Sequence, residues 1–154
     1  MAFFAVILGA NLNTLGTRSP EYYGTLTVAE ISERLKSKAR EIGCDVEVIQ
    51  SNSEAELIEW IQGHASDLCG MLVNPGGFTR FGQALCDAVV DVGCPWLEIH
   101  MSNIHARGIP SIWSEHALGQ ITGLHWRGYL GGLEMLNEVV NERSQAVPID
   151  GQTP

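Results

Sequence analysis

Only four cysteines occur in this chain, and no two are spaced C-x-x-C. Cys44, Cys69, Cys86 and Cys94 are read as free thiols, three of them in apolar surroundings, rather than as disulfides or a zinc site. His100 and His105 stand five apart with no third residue at metal-ligand spacing, so no metal is expected. Basic residues are scarce, nine against eighteen acidic, for a net charge of −9, and they form no run. Nucleic-acid binding needs a basic patch, so that class is set aside. No apolar stretch is long enough to cross a bilayer. The opening MAFFAVILGANLN is short, lacks a basic leader and is soon followed by Arg18. It is read as a first strand, and the protein as cytoplasmic with no membrane association. G-x-G-x-x-G and G-x-x-x-x-G-K-[ST] are both missing, which argues against nucleotide binding. So is G-x-S-x-G, the serine hydrolase elbow.

What is present suits one globular domain. The 154 residues are 45% hydrophobic, enough for a core without disulfides or metals. Phe3–Leu8 and Gly70–Val73 are continuous apolar runs, and DVEVIQ (45–50) and PWLEIH (95–100) are rich in strand formers. Such short strands are typical of parallel sheets buried on both faces. A fifth strand is expected at 119–122. Helices lie between them. Thr27 with Glu30 is a capping-box signature, and the helix it opens should end near Gly43; Ser53 with Glu56 repeats the signature. A third helix is expected over 82–92 and a last one over 126–143. Alternating strands and helices predict an α/β fold, a flavodoxin-like three-layer sandwich on a five-stranded parallel sheet. Residues 1–143 are read as one domain and 144–154 as a disordered tail.

Ligands of open parallel sheets bind beyond the carboxyl ends of the strands. The first strand is followed by GANLNTLGTRSPEYYG, with Asn11, Asn13, Arg18, Tyr22 and Tyr23. Ser51 and Asn52 follow the second, and Asn74, Gly76 and Gly77 the third. The fourth ends in Glu98 and His100, followed by Ser102, Asn103, His105 and Arg107. Of the basic residues, only Arg18, Arg80 and Arg107 fall on this side. Three arginines in an acidic protein point to a small anionic ligand such as a carboxylate; the competing reading pairs them with Glu21, Asp87 or Glu98. Asn11 and Asn74 read equally well as turn formers, and Tyr23 as packing under a turn. His105 reads better as structural than catalytic.

These segments carry a family resemblance. GANLNTLGTRSPEYYG resembles the G-P-N-L-N-x-L-G-x-R-E-P-x-x-Y-G block of type II 3-dehydroquinate dehydratases. SNSEAELI, NPGGFTRFGQALCDA, EIHMSNIHAR and GQITGLHWRGY resemble four further blocks of that family, in the same order. The resemblance implies a hydro-lyase that dehydrates 3-dehydroquinate, a cyclic β-hydroxy ketone, through an enolate, with no cofactor and no Schiff base. Tyr23 matches the general base and Arg18 the cation beside it on a mobile lid; a phenol of ordinary pKa ~10 needs such a neighbour to favour the phenolate. Asn11 matches the amide that positions a water at the enolate oxygen. His100 matches the general acid and Glu98 the carboxylate that orients it. Asn74 matches a hydroxyl contact, Ser102 with the backbone of Asn103 and Ile104 the carboxylate-binding turn, and Arg107 a further site arginine. Asp87 matches a residue that reaches a neighbouring subunit's site, since the family forms trimers that assemble into dodecamers.

The chain departs from the family pattern in places. Arg80 stands where the pattern has a histidine, Phe78 and Phe81 replace Tyr and Thr, and Cys86 replaces an arginine. After Arg107 the segment GIPSIWSEHALGQI is about three residues shorter and lacks a second arginine; Trp113 is a candidate to fill the gap or face a different ligand. Three functions therefore stay open: dehydration of 3-dehydroquinate in shikimate synthesis or quinate breakdown, action on another cyclic hydroxy ketone, or non-catalytic binding.

Overall fold

A computed structural model describes residues 1–146. Five parallel strands, β1 (Phe3–Ala10), β2 (Asp45–Gln50), β3 (Gly70–Gly76), β4 (Trp96–His100) and β5 (Gly119–Thr122), form one sheet in the order β2-β1-β3-β4-β5. This is the flavodoxin-like order expected from the sequence. Five helices surround it: α1 (Pro20–Tyr23), α2 (Val28–Ile42), α3 (Glu54–His64), α4 (Gln83–Asp91) and α5 (Arg127–Ala146).

Alternation along β1 divides the core. Phe4, Val6 and Leu8 pack with Ile31 and Leu35 of α2 and Leu133 and Leu136 of α5. Ala5 and Ile7 face the other way, onto Leu57 and Ile61 of α3 and Leu85 and Val89 of α4. Successive side chains of a strand point to opposite faces, so a strand covered on both sides must be apolar throughout. β1, β3 and β4 are buried almost residue for residue, and β1 is apolar throughout, while β3 and β4 depart from the rule with Asn74, Glu98 and His100 at their carboxyl ends. β2 and β5 correct the expectation. They are the sheet edges, exposed or half-buried throughout, and β2 carries Asp45 and Glu47.

Local signals set the helix ends. Thr27 Oγ1 accepts from the Glu30 N–H, and Glu30 Oε2 accepts from the Thr27 N–H at 2.8 Å, a complete capping box. The bonds from Thr27 also hold the Glu30 carboxyl below its ordinary value. Gly43 ends α2 in the left-handed region, φ 75°. Ser53 caps α3 by only half the box: the Glu56 carboxylate turns to Ser51 Oγ instead. The last helix runs three residues beyond the expected 143, so Ser144–Ala146 are helical rather than part of a tail. Residues 147–154 of that expected tail lie outside the described residues.

Two features shape the carboxyl end of the sheet. At the end of the buried run of β1, Gly9 lies so close to β3 that a Cβ there would meet the Pro75 carbonyl oxygen at 1.9 Å. The connection from β4 to β5, residues 101–118, contains no helix or strand. It is pinned instead by backbone bonds, Ile109 N–H to Ile104, Ile112 N–H to Thr79 and Leu118 N–H to Trp96. Trp113 is its anchor. The ring is wholly buried, edge-on to Trp96, and its Nε1–H donates to the Phe78 carbonyl.

Candidate functional site

A cavity of about 230 Å³ opens at the carboxyl end of the sheet. Asn11, Arg18, Tyr23, Asn74, Arg80, His100, Ser102, Ile104 and Arg107 all line it, nine of the twelve candidate residues. Residues from the ends of β1, β3 and β4 and from α1 therefore converge as the strand-end rule requires. Among the described residues no Asp or Glu lines it.

Tyr23, the last residue of α1, is half-buried. Its Oη accepts from Arg18 Nη2 at 3.1 Å and from Arg107 Nη1 at 3.3 Å. The Arg18 guanidinium also stacks over the Tyr23 ring, 4.0 Å from its centroid. Arg107 stacks over Tyr22 and gives its Nη1–H to Ser102 Oγ at 2.9 Å. None of the three arginines forms an ion pair among the described residues, against the reading that Glu21, Asp87 or Glu98 would neutralise them. Two cationic donors thus converge on one phenol oxygen at the cavity wall. The short α1 is itself fastened by His125, whose Nε2 lies 3.2 Å from the Glu21 carbonyl oxygen.

On the β4 side the arrangement is rigid. Glu98 and His100 are two residues apart on one strand and so share a face. Glu98 is completely buried, and His100 nearly so. His100 Nε2 lies 2.6 Å from Glu98 Oε1, which leaves Nδ1 as the nitrogen available to a ligand. Burial pushes the Glu98 carboxyl up, but bonds from His100 and Ser111 outweigh it and hold the group below its ordinary value. Glu98 is thus an anion behind the cavity wall rather than part of it.

The two asparagines prove to be both turn formers and cavity residues. Asn11 sits in the left-handed region, φ 72°, with its N–H on Asn52 Oδ1 at 2.9 Å. Asn74 is buried; its Oδ1 accepts from the Gly76 N–H, and its Nδ2 donates to Tyr129 Oη at 2.7 Å. Tyr129 is wholly buried, and burial pushes its phenol upward, so it serves as a neutral acceptor.

Other candidates fall elsewhere. Asn103 does not line the cavity; its Oδ1 closes a turn by accepting from the Ala106 N–H. Asp87 is exposed on α4 and accepts from Gln83. Trp113 neither fills the gap nor meets a ligand, because its ring belongs to the core. Phe78 likewise packs on the core, so of the two phenylalanines only Phe81 lines the cavity, 80% exposed beside exposed Arg80. Cys86 is buried in the core, its thiol pushed up to about 11 by burial.

Sequence reasoning missed Ser111, Gln120 and Tyr129. Gln120 had a signal: β5 pairs with β4 so that Gln120 lies directly beside Glu98 and shares its face. Ser111 had none, since its place depends on the path that the buried Trp113 imposes. Tyr129 reads from sequence as one more apolar residue of α5. His105 is exposed and bonds Gln120, in keeping with its structural reading. Among the described residues no group of His, Cys, Asp and Glu could hold a metal ion, and no helix is long and apolar enough to cross a membrane.

Residues 2–137 match the family described as Dehydroquinase class II. A 3-dehydroquinate dehydratase of Halothermothrix orenii is 41% identical over 143 residues, covering 91% of this chain and 97% of that protein. The catabolic 3-dehydroquinase 1 of Neosartorya fischeri is 39% identical over 142 residues, covering 90% and 95%. Among solved structures, the type II dehydroquinase of Propionibacterium acnes superposes with a TM-score of 0.83 at 36% identity, covering 92% of this chain and 97% of that one.

Proposed function

The chain belongs to the class II dehydroquinase family, and from that membership we propose that it dehydrates 3-dehydroquinate to 3-dehydroshikimate. Tyr23, as phenolate, takes the α-proton. The electrons move into the carbonyl, and the resulting enolate oxygen is stabilised by a water held at Asn11. The enolate then expels the β-hydroxyl, which leaves as water with a proton from His100. Base and acid come from different elements, α1 and β4, so each can approach its own side of the ring.

The observation that carries this reading is the double guanidinium contact on Tyr23 Oη. A phenol used only for packing has no need of it. Asn74 is assigned to a substrate hydroxyl. Ser102, with the backbone at Ile104, is assigned to the carboxylate together with Arg107, and Arg80 to the mouth. The reaction needs no cofactor. We assign the enzyme to the cytoplasm, in keeping with its four free cysteines. We further assign it to trimers gathered into dodecamers, in which Asp87, exposed on α4, would approach a neighbouring site.

The test is direct. Purified protein with 3-dehydroquinate should generate the ultraviolet absorbance of a conjugated enone, and Tyr23→Phe and His100→Ala should abolish it. A second reading, another cyclic hydroxy ketone, is favoured only by Arg80 and Phe81 at the mouth. A folded wild-type protein silent on 3-dehydroquinate but active on such a compound would replace the first reading with the second.

A further inference from the structure

Glu98 accepts three side-chain donors. His100 and Ser111 share Oε1, and Gln120 Nε2 reaches Oε2 at 3.0 Å. The two outer donors are themselves oriented. The Trp113 backbone N–H donates to Ser111 Oγ at 3.1 Å, so the serine proton is directed at the carboxylate. Gln120 Oε1 lies 2.6 Å from His105 Nε2, and its Nε2 also reaches Ser114 Oγ at 3.0 Å. If the amide turned over, its oxygen would face a carboxylate, so Glu98 selects the sense in which NH₂ faces it, and that sense leaves Oε1 to accept from His105 in its Nε2–H tautomer.

We propose that Ser111 and Gln120 are positioning residues for His100. They hold the buried Glu98 carboxylate ionised and fixed in rotation, so that Oε1 keeps His100 Nε2 and Nδ1 stays turned to the ligand; His105 locks Gln120 for this task. The inference rests on the acid role proposed for His100. A carboxylate with no water contact cannot recruit solvent to replace a lost donor, so each donor matters. Ser111 belongs to the shortened segment between Arg107 and β5. That segment therefore supports the acid, and Trp113, buried in the core, is what places it there.

Losing one donor to a charged group should lower kcat roughly 10- to 100-fold in Ser111→Ala and Gln120→Leu. KM should stay within about twofold, because neither residue touches substrate. Ser111→Thr keeps the hydroxyl and should restore most of the rate. His105→Ala should give a smaller loss of the same kind. The second readout is independent of turnover: the pH midpoint of the Glu98 carboxylate band in infrared spectra, identified by difference from Glu98→Gln. The titratable groups facing Glu98 are His100 on its own strand and Cys86 on α4, whose thiol stays neutral below about 11; His105 acts through Gln120. Hydrogen bonds to a carboxylate favour its charged form, so the midpoint should rise in Ser111→Ala and Gln120→Leu and return in Ser111→Thr. An unmoved midpoint, or a change in KM alone, overturns the proposal. Should the wild type fail to turn over 3-dehydroquinate, the functional reading falls, and the infrared midpoints still decide whether Ser111 and Gln120 hold Glu98.

Discussion

At the scale of single residues, the site is a set of polar groups that have already found partners. Tyr23 has two guanidinium donors, His100 a buried carboxylate, Asn74 a buried phenol. Tyr23→Phe removes the proposed base while keeping the ring stacked under Arg18. It should reduce kcat by about 100- to 10,000-fold and leave thermal stability nearly unchanged; a comparable loss of both would point to a packing role. Tyr129→Phe strips the acceptor from a buried amide, which should destabilise the fold by about 1–3 kcal/mol in urea titrations and weaken substrate binding through a loosened Asn74. Glu98 gives a pH signature. Its folded carboxyl titrates below the unfolded one, so its stabilising effect is present above the unfolded value, about 4.3, and is lost as pH falls through the folded value. Wild type should therefore lose more stability than Glu98→Gln on acidification below the unfolded value of about 4.3; parallel curves would contradict that assignment. Most of these residues were legible in the sequence, because strand ends mark sites in parallel sheets and the motif blocks name the residues. Their partners were not. A buried tyrosine in a helix or a serine in an irregular segment has no local pattern that announces a hydrogen bond across the fold.

Among the elements, the sheet is the part that sequence patterns described best. β2 and β5 matched their expected bounds, and the Thr27 capping box with Gly43 delimits α2 as the spacing predicts. The incomplete burial of β2 was missed, because strand propensity says nothing of how much cover a strand receives. The short α1 was missed too, since four residues are too few for periodicity. Its placement depends on Gly24 and on His125, far off in sequence. Gly9 shows how an element end can govern a site. A side chain there would strike the Pro75 carbonyl, so Gly9→Ala must part the ends of β1 and β3, on which Asn11 and Asn74 ride. We expect it to destabilise the protein by about 1–3 kcal/mol, as overpacking does, and to raise KM together with a fall in kcat. A stable, fully active Gly9→Ala would show that the strand ends yield more than this packing suggests. Thr27→Ala should lower stability by about 1 kcal/mol without touching activity, since α2 carries no cavity residue.

For the whole molecule, the contrast is one of charge. A chain of net charge −9 encloses a cavity lined, among the described residues, by three arginines and no acid. The arginines attract an anion at close range, while the rest of the surface repels it over a Debye length of about 8 Å at physiological salt. Added salt screens the exposed Arg80 and Arg107 more than the half-buried Arg18. KM for an anionic substrate should therefore respond to ionic strength, and Arg80→Gln should weaken that response; identical salt profiles would remove Arg80 from substrate capture. Net charge and the lack of a basic run were readable at once, but their arrangement around a cavity required the fold.

The irregular stretch from Met101 to Leu118 has one more implication. Its length and content can change without disturbing the sheet, because its ends hang from β4 and β5 and its middle is held by one buried indole. Glu98 and His100, by contrast, are carried by a central strand that no such change displaces. Under the role proposed for His100, a lineage can rewrite the part of this stretch beyond Arg107, and with it how firmly the acid is held, while passing Glu98 and His100 on intact.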